Sequence, residues 1–145
     1  MGGGDERGRA LDRAVRALAR RDHSKEGLRA KLDRAGVSEE AQADAIETLA
    51  RVGYLDDARF AADRALRLAA RGYGDPRIRA DLDAQGVEVE ELEAAVAGLE
   101  PELERALRQA KRLGGGLRAA QALARRGFSE EAIESAVPEA VAETP

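Results

Sequence analysis

The sequence predicts an all-α protein of three tandem three-helix units in an elongated, curved array, because one pattern is written three times. Leu28, Leu32, Gly36 and Val37 return as Ile78, Leu82, Gly86 and Val87, and more loosely as Ala119, Leu123, Gly127 and Phe128. Each copy reads as a helix closed by glycine, followed by an acid-rich helical stretch whose apolar residue ten places past the glycine is Ile46, Val96 or Val137. Glycine spacings of 50 and 41 residues are the self-similarity expected of stacked repeats. Strand signals are absent.

The expected units are residues 9–53, 54–99 and a shortened 100–142, with a flexible tail at 1–8 and a short one at 143–145. Helices are predicted near 6–20, 24–35 and 38–52, near 56–71, 75–85 and 89–97, and near 101–113, 116–126 and 129–142. Their ends are set by Gly36, Gly53, Gly72, Gly86, Gly98 and Gly127, since glycine closes a helix in the left-handed region without a Cβ penalty. Their starts are set by Ser24, Ser38, Asp56, Asp75 and Ser129, whose side chains can accept from unpaired first-turn N–H groups, and by Pro76 and Pro101. Leu55 with Phe60, and Phe128 with Ile133, stand at the flanking positions of hydrophobic staples. The expected first-unit core is Leu11, Val15 and Leu18 with Leu28 and Leu32, and Ile46, Leu49 and Val52. So small a core predicts that units lean on their neighbours.

Composition excludes several functions. With no Cys and a single His, there is no thiolate site and no second imidazole for zinc, and no nucleophile triad or phosphate loop occurs. His23 precedes a capping serine and has no co-ligand; Asp56 and Asp57 suit a helix N-terminus through its dipole rather than a metal. The chain is expected to have no catalytic activity, cofactor or metal. No apolar run approaches the roughly 20 residues of a membrane helix, and no secretory segment is visible, so a cytoplasmic location is expected.

The net charge of -4 hides segregation. Residues 82–104 hold eight acidic and no basic side chains, and residues 105–127 seven basic and no acidic ones. Arg9, Arg13, Arg16 and Arg20 recur at helical spacing, within about 60° of one another on one face. Arg105, Arg108, Lys111 and Arg112, with Arg118, Arg125 and Arg126, form the comparable basic set of the third unit. Such faces suit phosphates or an acidic protein partner, and the lack of interleaved aromatics argues against stacking on bases.

Three segments resemble one family: Arg20 to Leu32 with its Asp22-His23-Ser24 step, then Gly53-Tyr54-Leu55-Asp56-Asp57-Ala58-Arg59-Phe60, then Arg125-Arg126-Gly127-Phe128-Ser129. In order and spacing these resemble the bacterial recombination regulator RecX over nearly the whole chain. The third unit departs from that pattern in being short, with Gly114-Gly115-Gly116 where members carry a longer connection. The resemblance implies three three-helix units without catalysis that bind the RecA recombinase and its single-stranded DNA filament, modulating it in the inhibitory direction in recombination and the SOS response. It implies a monomer with at most weak DNA affinity of its own. The second reading is a helix-turn-helix-like DNA-binding module acting without RecA. The motif residues Gly53, Tyr54, Leu55, Asp56, Asp57 and Phe60 have a structural reading as well: closing glycine, corner apolar pair, cap and core.

Overall fold

A computed structural model describes the backbone of residues 2–142 and the side chains of residues 4–140. Among the described residues there are ten helices and no strand. The first unit is α1 (Gly2–Arg20), α2 (Lys25–Arg34) and α3 (Glu39–Arg51); the second is α4 (Asp57–Ala70), α5 (Asp75–Ala84) and α6 (Val89–Ala97). The third is α7 (Glu102–Arg112), α8 (Gly116–Arg125), α9 (Glu130–Ala136) and α10 (Pro138–Ala142). Two expectations change at the ends. Helix α1 already runs from Gly2, so residues 2–8 are not a tail, and the predicted last helix breaks at Pro138, whose ring removes an N–H donor and clashes with the preceding turn. The tail at 143–145 lies outside the described residues.

The repeated glycines close their helices in the same way. After each, the next residue's N–H donates five residues back: Val37 to Leu32 O at 3.1 Å, Val87 to Leu82 O at 3.2 Å and Phe128 to Leu123 O at 3.1 Å. That six-to-one bond requires the left-handed glycine found at Gly36, Gly86 and Gly127. Gly53 and Gly72 are left-handed as expected, whereas Gly98 ends α6 in the right-handed region at φ -79, so its closure does not depend on glycine. At the starts, Ser24, Ser38, Asp56 and Ser129 accept from the N–H three residues on. Asp75 instead lies inside α5, after a Gly74 cap that has no side chain to offer.

Each unit owns a core. One cluster joins Leu28, Leu32, Leu49 and Leu55, a second Phe60, Ile78, Leu82 and Leu92, and a third Leu123, Phe128 and Val137. Leu55 therefore belongs to the first core, although the expected boundary put it in the second unit. In every unit the first and third helices form the most extensive contact, and both bury alanine. Ala10, Ala14 and Ala17 lie on α1 and Ala41 and Ala45 on α3; Ala61 and Ala65 lie on α4 and Ala95 on α6; Ala106 and Ala110 lie on α7 and Ala132 on α9. Small side chains let the axes approach to the short end of the 8–10 Å range.

That rule corrects the expected stripe on α1. Val15 is 41% exposed and Leu11 and Leu18 are half-buried at the edge. On α3 Leu49 is buried and Ile46 is intermediate; Val52, just past its end, is exposed, as is Tyr54.

Between units the link is polar rather than a shared apolar core. The extensive helix contacts all fall within a unit, and the 9021 Å² of accessible surface exceeds the roughly 7,200 Å² of a compact protein of this mass. The array is elongated.

Candidate nucleoprotein-binding surface

The unit boundaries come first, because they fix where the basic faces sit. At the first boundary Ser24 Oγ accepts from Gly27 N at 2.9 Å and donates to Gln85 O at 2.6 Å, while Lys25 N donates to Asp57 Oδ1 at 2.8 Å. The C-terminal end of α5 therefore docks on the first turn of α2. A β-carbon at Gly86 would run into the Glu26 side chain, so glycine closes the helix and also permits the contact. At the second boundary the same arrangement recurs one unit later. Gly74 N donates to Arg126 O at 2.9 Å, Asp75 N donates to Glu102 Oε2 at 2.8 Å, and Gly127 packs on Arg77.

Arg105 closes that second boundary. It is 6% exposed, and its guanidinium donates to Glu100 O at 2.9 Å, to Tyr73 O at 3.0 Å and to the Asp75 carboxylate. The sequence placed Arg105 on the exposed third-unit face, and the structure moves it inside: a guanidinium that is buried and held through each of its three nitrogens is not open to a partner. Periodicity could not reveal this, because Arg105 and Arg108 occupy one helical face and differ only in what the neighbouring unit brings to them.

The remaining basic residues do face outward. Arg9, Arg13, Arg16 and Arg20 are exposed on α1, and none has an ion-pair partner among the described residues. Arg9, Asp12, Arg13, Arg16, Arg20 and Lys31 line a groove of about 430 Å³. From Arg9 to Arg20 the face runs about 16 Å at 1.5 Å per residue. Lys31 also borders a smaller pocket, of about 220 Å³, at the first boundary with Arg21, Arg34 and Arg64, so basic character continues from α1 towards the second unit. Sequence reading missed Lys31 and Arg34, because the acids Glu26 and Asp33 dilute the charge of α2. In the third unit Arg108, Lys111, Arg112, Arg118, Arg125 and Arg126 are exposed. Arg108 pairs with Glu100, and that contact holds the Glu100 carboxyl below its usual range.

The motif residues have structural roles. Asp56 caps α4 at 3.1 Å from Arg59 N, and Arg59 in turn donates to Gly53 O and Tyr54 O, each at 3.2 Å. Phe60 is in the second core and Phe128 in the third. Tyr54, expected at the corner, is 65% exposed. His23 is buried, its Nδ1 2.9 Å from Arg21 O and its Nε2 without a partner; burial pushes its pKa below the ordinary value. Among the described residues no cluster of three or more His, Asp or Glu could hold a metal ion, and no helix is long and apolar enough to cross a membrane.

Known proteins resemble this chain in sequence and in fold. A family model described as the first three-helix domain of RecX matches residues 10–49. The regulatory protein RecX of Xanthomonas campestris pv. campestris (strain B100) is 39% identical over 136 residues, spanning 87% of this chain and 84% of that protein. Its counterpart in Stenotrophomonas maltophilia (strain R551-3) is 35% identical over 136 residues, spanning 87% and 83%. In fold, the crystal structure of RecX from Lactobacillus salivarius superposes with a TM-score of 0.81 at 18% identity, covering 96% of this chain and 99% of that one. A repeated three-helix architecture together with such identity over most of its length places this chain in the RecX family of regulatory proteins.

Proposed function

We propose that this protein binds the RecA recombinase on single-stranded DNA and lowers its activity in recombinational repair and the SOS response, acting as a monomeric, non-catalytic cytoplasmic protein. The observation that carries the reading is the α1 face, where Arg9, Arg13, Arg16 and Arg20 stand exposed without ion-pair partners. Charges without a direct ion pair on a rigid helix favour an anionic partner, because docking disturbs little beyond the interaction of Arg9 with Glu6. Arg108, Lys111, Arg112, Arg118, Arg125 and Arg126 supply the second face. An array with three cores and polar joints can follow a long, regular surface better than a sphere can. A protein partner also accommodates the acidic net charge, which leaves little free DNA affinity.

The test is RecA-dependent ATP hydrolysis on single-stranded DNA with Arg13→Glu, Arg16→Glu and Arg20→Glu combined. These positions make no core contact, so the helical signal should persist while inhibition weakens. One exposed pair contributes only about 0.2–1 kcal/mol, so three reversals are needed for a clear effect. A folded triple variant that inhibits like the parent would rule out the α1 face. Salt separates the alternative: a module held by 6–10 phosphates loses roughly 10³–10⁵ in affinity between 50 and 200 mM salt, and a contact largely with RecA loses less.

A further inference from the structure

Between the second and third units lies a cleft of about 300 Å³, lined among others by Leu66, Arg71, Arg108, Gln109, Arg112 and Arg126. Three helix C-termini deliver its cations: Arg71 is the C-cap of α4, Arg112 the last residue of α7 and Arg126 the C-cap of α8. Basic residues at helix ends ordinarily offset the dipole. Each end carries about -0.5 charge, so three ends offset about half of three guanidinium charges. Nothing else on the cleft wall removes the remainder. Its one acid, Glu100, is already paired with Arg108, and Arg105 beneath is matched by Asp75. Arg71, Arg112 and Arg126 have no ion-pair partner among the described residues.

The third-unit side chains are also held in place over the second unit. Gln109 Nε2 donates to Gly72 O at 2.9 Å, and a β-carbon at Gly72 would collide with both the Gln109 amide and the Arg126 guanidinium. Gly72 has φ +94, so it is the residue that this turn accepts and that the close approach needs. The result is a small positive cleft with guanidinium groups on both sides of a unit boundary. Its size lies at the lower limit of pockets for drug-sized ligands, roughly 300–1,000 Å³.

We infer that this cleft is an oxyanion site for a phosphate-class group, with Arg71 contributing from the second unit and Arg112 and Arg126 from the third. Guanidinium forks match phosphate oxygens two at a time, and a phosphate-class group offers more oxygens to three guanidinium groups than the two of a carboxylate. A bound phosphate ties the two units together at their joint. The group is either a backbone phosphodiester or a free polyphosphate. The site draws on the same third-unit surface as the RecA reading, and adds to it Arg71, which lies on another unit.

The experiment is an amide NMR titration of the full chain with pyrophosphate at low salt. Saturable shifts are expected at Arg71, Gly72, Gln109, Arg112 and Arg126. Arg71→Gln and Arg126→Gln should each weaken binding about tenfold, as loss of a charged hydrogen bond does, while Arg13→Gln with Arg16→Gln should leave it unchanged. Displacement of pyrophosphate by an oligothymidylate lacking terminal phosphate assigns the cleft to the phosphodiester; persistence of pyrophosphate assigns it to free polyphosphate. Shifts spread over all basic faces without saturation, or parental affinity in a folded Arg71→Gln/Arg126→Gln variant, would overturn the site. Because the filament assay contains no free pyrophosphate requirement, that failure would leave the RecA reading intact, and loss of inhibition by the α1 variant would be read separately.

Discussion

The Asp57 carboxylate accepts the Lys25 backbone N–H at 2.8 Å, fastening the first turn of α4 to the first turn of α2 across the unit boundary. Glu102, the first residue of α7, does the same for Asp75 N at 2.8 Å. Glu102 also receives Ser129 N at 3.1 Å and Ser129 Oγ at 2.6 Å. An acid at the start of one unit thus caps the middle helix of the unit before it. Since each unit has its own core, such joints set how the units sit relative to one another.

Asp57→Ala should cost about 0.5–2 kcal/mol, the usual effect of losing a side-chain acceptor at a helix start. Asp57→Asn keeps an acceptor and should cost less. Urea denaturation gives the stability order, and faster exchange of the Lys25 amide in the Ala variant alone locates the effect. Equal stability of the Ala variant and the parent would show that the clasp contributes nothing.

Gly36, Gly86 and Gly127 share a left-handed backbone but differ in their neighbours. Gly36 faces open space, Gly86 meets Glu26 and Gly127 meets Arg77. Gly36→Ala should cost only the conformational penalty, about 1–2 kcal/mol. Gly86→Ala and Gly127→Ala must also push the adjoining unit away, so thermal melting should place both below Gly36→Ala. Three equal melting temperatures would mean that the boundary yields freely.

Arg105→Met removes the buried guanidinium and leaves Asp75, 17% exposed at its side chain, without its partner. Breaking such a pair costs about 3–5 kcal/mol. Arg108→Met, at an exposed ion pair, should leave the denaturation midpoint nearly unchanged. Similar small losses for both would place Arg105 back on the surface.

His23 makes stability fall on acidification. Its folded pKa is depressed, chiefly by burial; the hydrogen bond to Arg21 O opposes this, the charges of Arg21 and Lys31 add to it, and the Asp22 charge opposes it. The unfolded chain therefore binds the proton more readily, so the loss begins as pH drops below about 6.5 and is complete below the folded value. As the one histidine in the chain, its Cε1 proton is a unique NMR reporter. A titration midpoint at or above 6.5 would contradict the burial argument.

The sequence alone determined most of the helices, the left-handed ends at Gly36, Gly53, Gly72, Gly86 and Gly127, the serine caps, and the buried Leu28, Leu32, Ile78 and Leu82, because these depend on local backbone geometry and on large apolar residues at helical spacing. It also located the α1 arginine face, which follows from periodicity. Only the tertiary structure decided which flank of α1 is buried. Ala10, Ala14 and Ala17 lie one position from Leu11, Val15 and Leu18, so both stripes read as apolar, and the close approach of α3 selects the smaller side chains. Arg105 and Arg71 were likewise settled in three dimensions: the partners of Arg105 come from 30 residues away at Asp75, and the cleft of Arg71 exists only where the second and third units meet. Charge along one helix specifies a face, and the neighbouring unit specifies whether that face is covered.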